Sequence, residues 1–241
     1  MLSLSSNHVD VWYWNLSGVD CTSYLAEAQA MMSDQEKQRR ARIQRPAAKE
    51  AFGLSRFFLR TCLSKYSAAQ PHEWRFSHNE HGKPVIARPR LETALHFNLS
   101  HTSDCMTLAV ATSAPVGVDI ENTNRRTSLL QTANRFYSPT EVAVLQSLQP
   151  AEQRRRFFEY WTLREAYVKA RGLAIAVLFK HLCFEIRDAG DITLRPVAAL
   201  DDQIDRWHFE IIWPSSTHCM AVAIAGAGST RPIIAVHKLC L

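Results

Sequence analysis

The chain has 241 residues, 46% of them hydrophobic, and carries 28 Lys and Arg against 23 Asp and Glu for a formal net charge of +5. That is ample apolar material for one large domain or two small ones, and it places the chain among ordinary soluble globular proteins. It excludes a membrane span, because no apolar run approaches about 18 residues.

The start, 1–11, is polar and lacks the basic first stretch and apolar centre of a signal peptide, so secretion is not expected. Six cysteines (Cys21, Cys62, Cys105, Cys183, Cys219 and Cys240) are scattered without a C-x-x-C pair. They read as reduced thiols of a cytoplasmic protein.

A helical region is predicted over 33–65, where Ser33-Asp34-Gln35-Glu36 fits a capping box. The same region holds the excess positive charge: Lys37, Arg39, Arg40, Arg42, Arg45, Lys49, Arg56 and Arg60 stand against Asp34, Glu36 and Glu50. Such a block suits a nucleotide phosphate, an acidic partner protein or nucleic acid, or forms a solvated helix face. His78-Asn79-Glu80-His81 has no further ligands at zinc-like spacing and reads as a loop with exposed histidines.

Strand, turn and strand follow, at His96-Phe97 and then Cys105-Met106-Thr107-Leu108-Ala109-Val110-Ala111. The second stretch matches Cys219-Met220-Ala221-Val222-Ala223-Ile224-Ala225, itself preceded by His208-Phe209. Each set ends with a proline and an aliphatic strand, at Pro115-Val116 and Pro232-Ile233, and each follows a helical region, 33–65 or 138–171. The fold expected is α+β: two similar subdomains, 1–113 and 114–241, related by pseudo-two-fold symmetry, each a small antiparallel sheet packed with helices.

The repeat fails at one informative place. Where the first copy has Gly117, Asp119 and Glu121, the second has Ile234 and Val236 and no acid. As a strand, Gly117-Val118-Asp119-Ile120-Glu121 puts both carboxylates on one face and aliphatic residues on the other. The acids sit at the junction of the halves, and domain interfaces are common ligand sites.

Ser138-Pro139-Thr140-Glu141 marks a second capped helix start, which gives Glu141 a structural role. Further on, Phe157, Phe158, Trp161, Glu165, Val168 and Lys169 share one helical stripe. Two charges on an apolar stripe suggest a polar cleft, since burying an unpaired charge is costly. Asp119, Glu121 and Glu165 are all-oxygen donors of the kind magnesium takes, usually with water and substrate phosphates completing its shell. Lys169 lies one turn beyond Glu165, where it either meets a phosphate at the metal or forms an intrahelical pair worth a few tenths of a kcal/mol.

Phe97-Asn98-Leu99-Ser100-His101 offers a hydroxyl and an imidazole, but strand neighbours point to opposite faces and make no dyad. The sequence shows no Walker loop, nucleophile elbow or dinucleotide turn, so the attacking group is expected from the substrate.

In chain order, Asn79-Glu80-His81-Gly82-Lys83-Pro84, Phe97 to His101, Gly117 to Glu121 and the run 157–172 resemble the 4'-phosphopantetheinyl transferases, of the larger monomeric type that activates nonribosomal peptide and polyketide synthases. The resemblance runs from about residue 33 to 172. It implies transfer of phosphopantetheine from coenzyme A to a serine of an apo acyl or peptidyl carrier protein, releasing adenosine 3',5'-bisphosphate. It further implies that Asp119, Glu121 and Glu165 bind Mg2+ (or Mn2+) and that Glu165 helps deprotonate the serine. Lys169 would then stabilise the pyrophosphate, Gly82, Lys83 and Pro84 hold the adenine, and Ser100, His101, Lys37 and Arg40 meet the 3'-phosphate.

Two positions depart from the family pattern. Arg164 stands where a lysine is usual, with a possible change in a phosphate contact, and Leu173-Ala174-Ile175-Ala176-Val177-Leu178 replaces a more flexible segment. The rival readings are a magnesium-dependent phosphoesterase acting on coenzyme A or a nucleotide, and a non-catalytic binder of coenzyme A or a carrier protein. Nucleic acid is not an expected partner, because the basic block lacks aromatic interleaving. No membrane partner is expected either.

Overall fold

The computed structural model describes the chain except for residues 80–81, 173–178, 188–189, 196–202 and 227–229. His81 and the segment 173–178, both singled out above, therefore lie outside the described residues. The chain divides into two compact units, Met1–Ser113 with Ile234–Leu241, and Ala114–Ile233.

After strand β1 (His8–Asn15) and helix α1 (Thr22–Met31), one series of elements occurs twice. Its first pass is α2 (Asp34–Arg42), α3 (Pro46–Leu63), the hairpin β2 (Arg75–His78) and β3 (Pro84–Arg88), then β4 (His96–His101), β5 (Cys105–Ala111) and β6 (Val116–Asn122). A short helix α4 (Leu129–Phe136) intervenes. The second pass is α5 (Pro139–Ser147), α6 (Pro150–Arg171), the hairpin β7 (Phe184–Ile186) and β8 (Ile192–Leu194), then β9 (Trp207–Ser215), β10 (His218–Ala225) and β11 (Ile233–Lys238). The α+β fold expected from the self-match is thus observed, with more of it repeated than the matching strands alone indicate.

Each third strand pairs outside its own series. The four-stranded sheet has the order β11-β1-β5-β4 and the three-stranded sheet the order β6-β10-β9. The last strand, expected to close the 114–241 sheet, instead joins the first unit, where Leu239 N donates to Tyr13 O at 2.8 Å and His237 stacks on Trp12. The reason is physical: β10 already has β6 on one side and β9 on the other, so no edge of it remains to be paired.

Both capping boxes form, and each is extended in the same way. Ser33 Oγ accepts from Glu36 N, and Glu36 in turn accepts from Arg60 Nη1 and Nη2 at 3.2 and 2.6 Å. Ser138 Oγ accepts from Glu141 N, and Glu141 accepts from Arg164 Nη2 and, at 2.9 Å, from Phe184 N. Arg60 and Arg164 are both fully buried. Arg164 also donates to the carbonyls of Tyr160 and Leu182 at 3.0 Å. It is therefore a tie within the core and makes no surface available to a phosphate, contrary to the reading from its place beside Glu165. A buried charge paired with a carboxylate in this way is tolerated; with the partner removed it is not.

Ser138→Ala is expected to cost about 1–2 kcal/mol, the upper end of the range for a cap, because the hydroxyl also donates to buried Glu141. A shift in the urea midpoint at unchanged slope checks this.

The first unit's core gathers Trp12, Trp14, Phe57, Phe58, Leu63, Phe97, Met106 and Leu108 between α3 and the sheet. In the second unit α6 is buried on nearly all sides from Phe157 onward, with Tyr160, Leu163 and Tyr167 enclosed as fully as Phe157 and Phe158. Of the stripe read from the sequence, Phe157, Phe158 and Val168 are fully buried, while Trp161, Glu165 and Lys169 are half-buried, so the two charges stand outside the dry core as expected.

Candidate active site

The site is built where α6 crosses β6 and β10. On the sheet, Gly117 pairs with Ala223, Asp119 with Ala221 and Glu121 with Cys219, so these six share one face. That face meets α6: Thr162 Oγ1 lies 3.6 Å from Cys219 Sγ. A β-carbon on Gly117 would come within 2.0 Å of the Ala166 carbonyl oxygen and 2.5 Å of the Ala170 nitrogen. Small residues on both sides (Gly117, Ala221 and Ala223 against Ala166 and Ala170) let the helix lie directly on the strands. Glu165 and Lys169, next along the helix, are thereby brought beside the acids of β6.

Lys169 Nζ donates to Asp119 Oδ1 at 2.6 Å. The lysine therefore reaches across to the strand, while its charge also favours the ionised form of Glu165 on its own helix. Burial, with the neighbouring Asp119 carboxylate, pushes Glu165 up to about 7. Burial and Asp119 likewise push Glu121 up to about 7, with Arg125 opposing. Both acids are half-buried at a point where a second negative charge is close, which is the environment that holds protons on carboxyls.

Arg125, in the turn after β6, was not signalled by any motif. Its Nε stands 3.3 Å from Glu121 Oε2, and it also favours the charged form of Glu165. Glu121 and Arg125 are four apart, a spacing that argues for contact only on a helix, and this segment is a turn.

The donors Asp119, Glu121 and Glu165 fit a hard divalent cation by their chemistry, being oxygen-only and mutually repelling until a positive charge joins them. Among the described residues no three His, Cys, Asp or Glu side chains are arranged to enclose an ion by themselves. The fit is thus to an ion held by a few carboxylates and completed by water and phosphate oxygens, the usual manner for magnesium.

The other residues singled out from the sequence belong to the first unit. Lys37 is half-buried on α2. Arg40 fastens α2 to its neighbours, its Nε donating to Lys49 O at 3.2 Å and its Nη1 to Gln29 Oε1 at 3.3 Å. Gly82 takes a positive φ of 78° in the β2–β3 turn, a conformation that suits glycine, and Lys83 N donates to Asn79 Oδ1 at 2.8 Å. Burial lowers Lys83 to about 8, and its charge lowers His96 as well, after burial. Pro84 opens β3. On β4, Ser100 is buried and His101 exposed, as strand neighbours must be when one face is covered.

Comparison with known proteins bears on both units. Residues 115–223 match the model of the 4'-phosphopantetheinyl transferase superfamily, and residues 20–113 match that of the 4'-phosphopantetheinyl transferase N-terminal region. The chain is 32% identical over 228 residues to the 4'-phosphopantetheinyl transferase HetI of Nostoc, covering 94% of this chain and 92% of that one. It is 30% identical over 141 residues to the 4'-phosphopantetheinyl transferase Sfp of Bacillus subtilis, covering 58% of this chain and 60% of that one. Among solved structures, a holo-(acyl-carrier-protein) synthase from Bacillus anthracis in complex with coenzyme A aligns with 47% of this chain and 96% of its own, at 22% identity and a TM-score of 0.39.

Proposed function

Because the chain belongs to the 4'-phosphopantetheinyl transferase superfamily, we propose that Asp119, Glu121, Glu165 and Lys169 carry its transfer reaction. The enzyme moves 4'-phosphopantetheine from coenzyme A to a serine of an apo carrier protein and releases adenosine 3',5'-bisphosphate. The observation that supports this assignment best is the α6–β6 seam, where two carboxyls held near 7 stand beside a third acid and a lysine.

In the proposed mechanism the serine oxygen attacks the phosphorus that bears pantetheine, and the bond to the nucleotide phosphate breaks. Glu165 takes the serine proton, directly or through one water, and an acid near 7 is well matched to that task at neutral pH. Lys169, already aimed at Asp119, offsets charge on the pyrophosphate as the leaving group departs. Mg2+, or Mn2+ in its place, bound by Asp119, Glu121 and Glu165 would neutralise the pyrophosphate further. In the first unit, Gly82, Lys83 and Pro84 hold the adenine, and Ser100, His101, Lys37 and Arg40 receive the 3'-phosphate. Arg40 comes to that role as a fixed cation, tied by Lys49 and Gln29. Little covalent help is needed from the protein, since phosphoryl-type transfer rests on positioning and charge neutralisation.

No helix among the described residues is long and apolar enough to cross a membrane, and all six cysteines are free thiols. A cytoplasmic monomer is the form we propose.

The test is direct. Incubated with coenzyme A, Mg2+ and several apo carrier proteins, the enzyme should raise the intact mass of at least one by a single phosphopantetheine. The same mixture lacking carrier should leave coenzyme A intact. Hydrolysis of coenzyme A without carrier, or no adduct on any carrier, would overturn the assignment.

A further inference from the structure

The turn that follows Glu121 is fastened from two directions. Thr123 N and Oγ1 both donate to Thr217 O, at 2.8 and 3.1 Å, which ties the turn to the β9–β10 connection. From the other side Arg154, on α6, donates from Nε to Thr123 O at 2.5 Å and from Nη2 to Arg125 O at 2.6 Å. Arg125 N closes the turn onto Asn122 O at 3.1 Å.

A backbone held this firmly fixes where the Arg125 side chain begins, and two rings fix where it ends. Its guanidinium lies 5.6 Å from the centre of the Phe158 ring and 5.5 Å from that of Trp161, both on α6. From there Nε faces Glu121 Oε2 at 3.3 Å. An ordinary surface ion pair contributes little, because two flexible chains must be ordered to make it. Here one partner is ordered already, by its backbone and by the rings, so it can direct the other at small entropic cost.

We propose that Arg125 is a positioning residue of the active site, orienting the Glu121 carboxylate toward the divalent cation. This rests on the reading that the three acids hold such an ion. A partner that orients a ligand typically contributes ten- to a hundredfold to metal affinity.

Mn2+ binding to the substrate-free protein, measured by calorimetry and by loss of the free-ion electron paramagnetic resonance signal, tests the proposal. Arg125→Gln should weaken Mn2+ binding roughly tenfold, although it removes a positive charge. Arg154→Gln, which loosens the turn, should shift it the same way by less. A role limited to charge would make Arg125→Gln bind Mn2+ more tightly, and a purely structural role would leave binding unchanged at equal melting temperature. Either result overturns the proposal. Failure of the wild-type protein to bind Mn2+ would instead overturn the metal reading on which it rests.

Discussion

Glu165→Gln is expected to lower transfer by a factor of about 10²–10⁴, the usual contribution of a general base, and at the same time to make the protein more stable in mild alkali. The first effect follows from removing both the proton acceptor and one of the three carboxylates. The second follows from the environment that tunes it. Burial and Asp119 raise Glu165 from 4.5 to about 7. Between those values the folded protein keeps a proton that the unfolded chain has released. Stability from this group is therefore fully present below about 4.5 and is lost as the pH rises through about 7. Glu121 adds to the loss over the same range. Glutamine is a neutral isostere that cannot ionise, so the variant should melt higher than the wild type at about pH 8 and show a flatter pH profile. Mg2+, by favouring the ionised acids, should restore part of the wild-type protein's stability and do less for the variant. Thermal melts across this range, with and without Mg2+, check the point. A lower melting temperature for Glu165→Gln at about pH 8 would mean that the carboxylate is a structural partner.

Gly117→Ala should be the most destabilising small substitution in the second unit. The added methyl would lie 2.0 Å from a backbone carbonyl oxygen and 2.5 Å from a backbone nitrogen of α6. No rotamer change relieves a clash with main chain, so the helix must move off the sheet. We expect a cost of about 3 kcal/mol or more, at or beyond the upper end of the range usual for overpacked cores. Ala166→Gly should not rescue it, since the obstacle is not the Ala166 side chain. Any protein that does fold should have lost most of its transfer activity, because displacing α6 carries Lys169 away from Asp119. Urea unfolding measures the first effect, and a change under about 1 kcal/mol would refute the close-packed seam.

The elements that bear the site are the ones whose patterns are local. Alternation over Gly117 to Glu121 marks β6, and the capping boxes at Ser33 and Ser138 mark the starts of α2 and α5 within a residue. What escaped the sequence depends on residues that meet across a turn. Arg164 sits 23 positions from Glu141, and Arg60 sits 24 from Glu36. No periodicity joins residues at such separations. Arg164 could therefore be placed only by its neighbour Glu165, which misdirected it, as adjacent helix residues project about 100° apart. Arg125 escaped for a related reason: its partner is four residues away, but the geometry that joins them is a pinned turn. Helix α6 is easier to read: two charges on its apolar stripe are expected outside the dry core, and Glu165 and Lys169 lie on its half-covered edge while Phe157, Phe158 and Val168 are buried.

The placement of β11 bears on how the molecule is made. The four-stranded sheet begins with β1 and is completed by residues 233–238, after every other strand among the described residues has been synthesised. During translation the second unit's sheet, β6-β10-β9, is therefore complete first, although most of the other unit emerges earlier. Until β11 arrives, β1 has one edge unpaired, open to strands of other nascent chains. A single cut after Ser113 would leave the same edge open permanently. Division there is therefore expected to separate β11 from the sheet it completes, even though the same series of elements occurs twice along the chain.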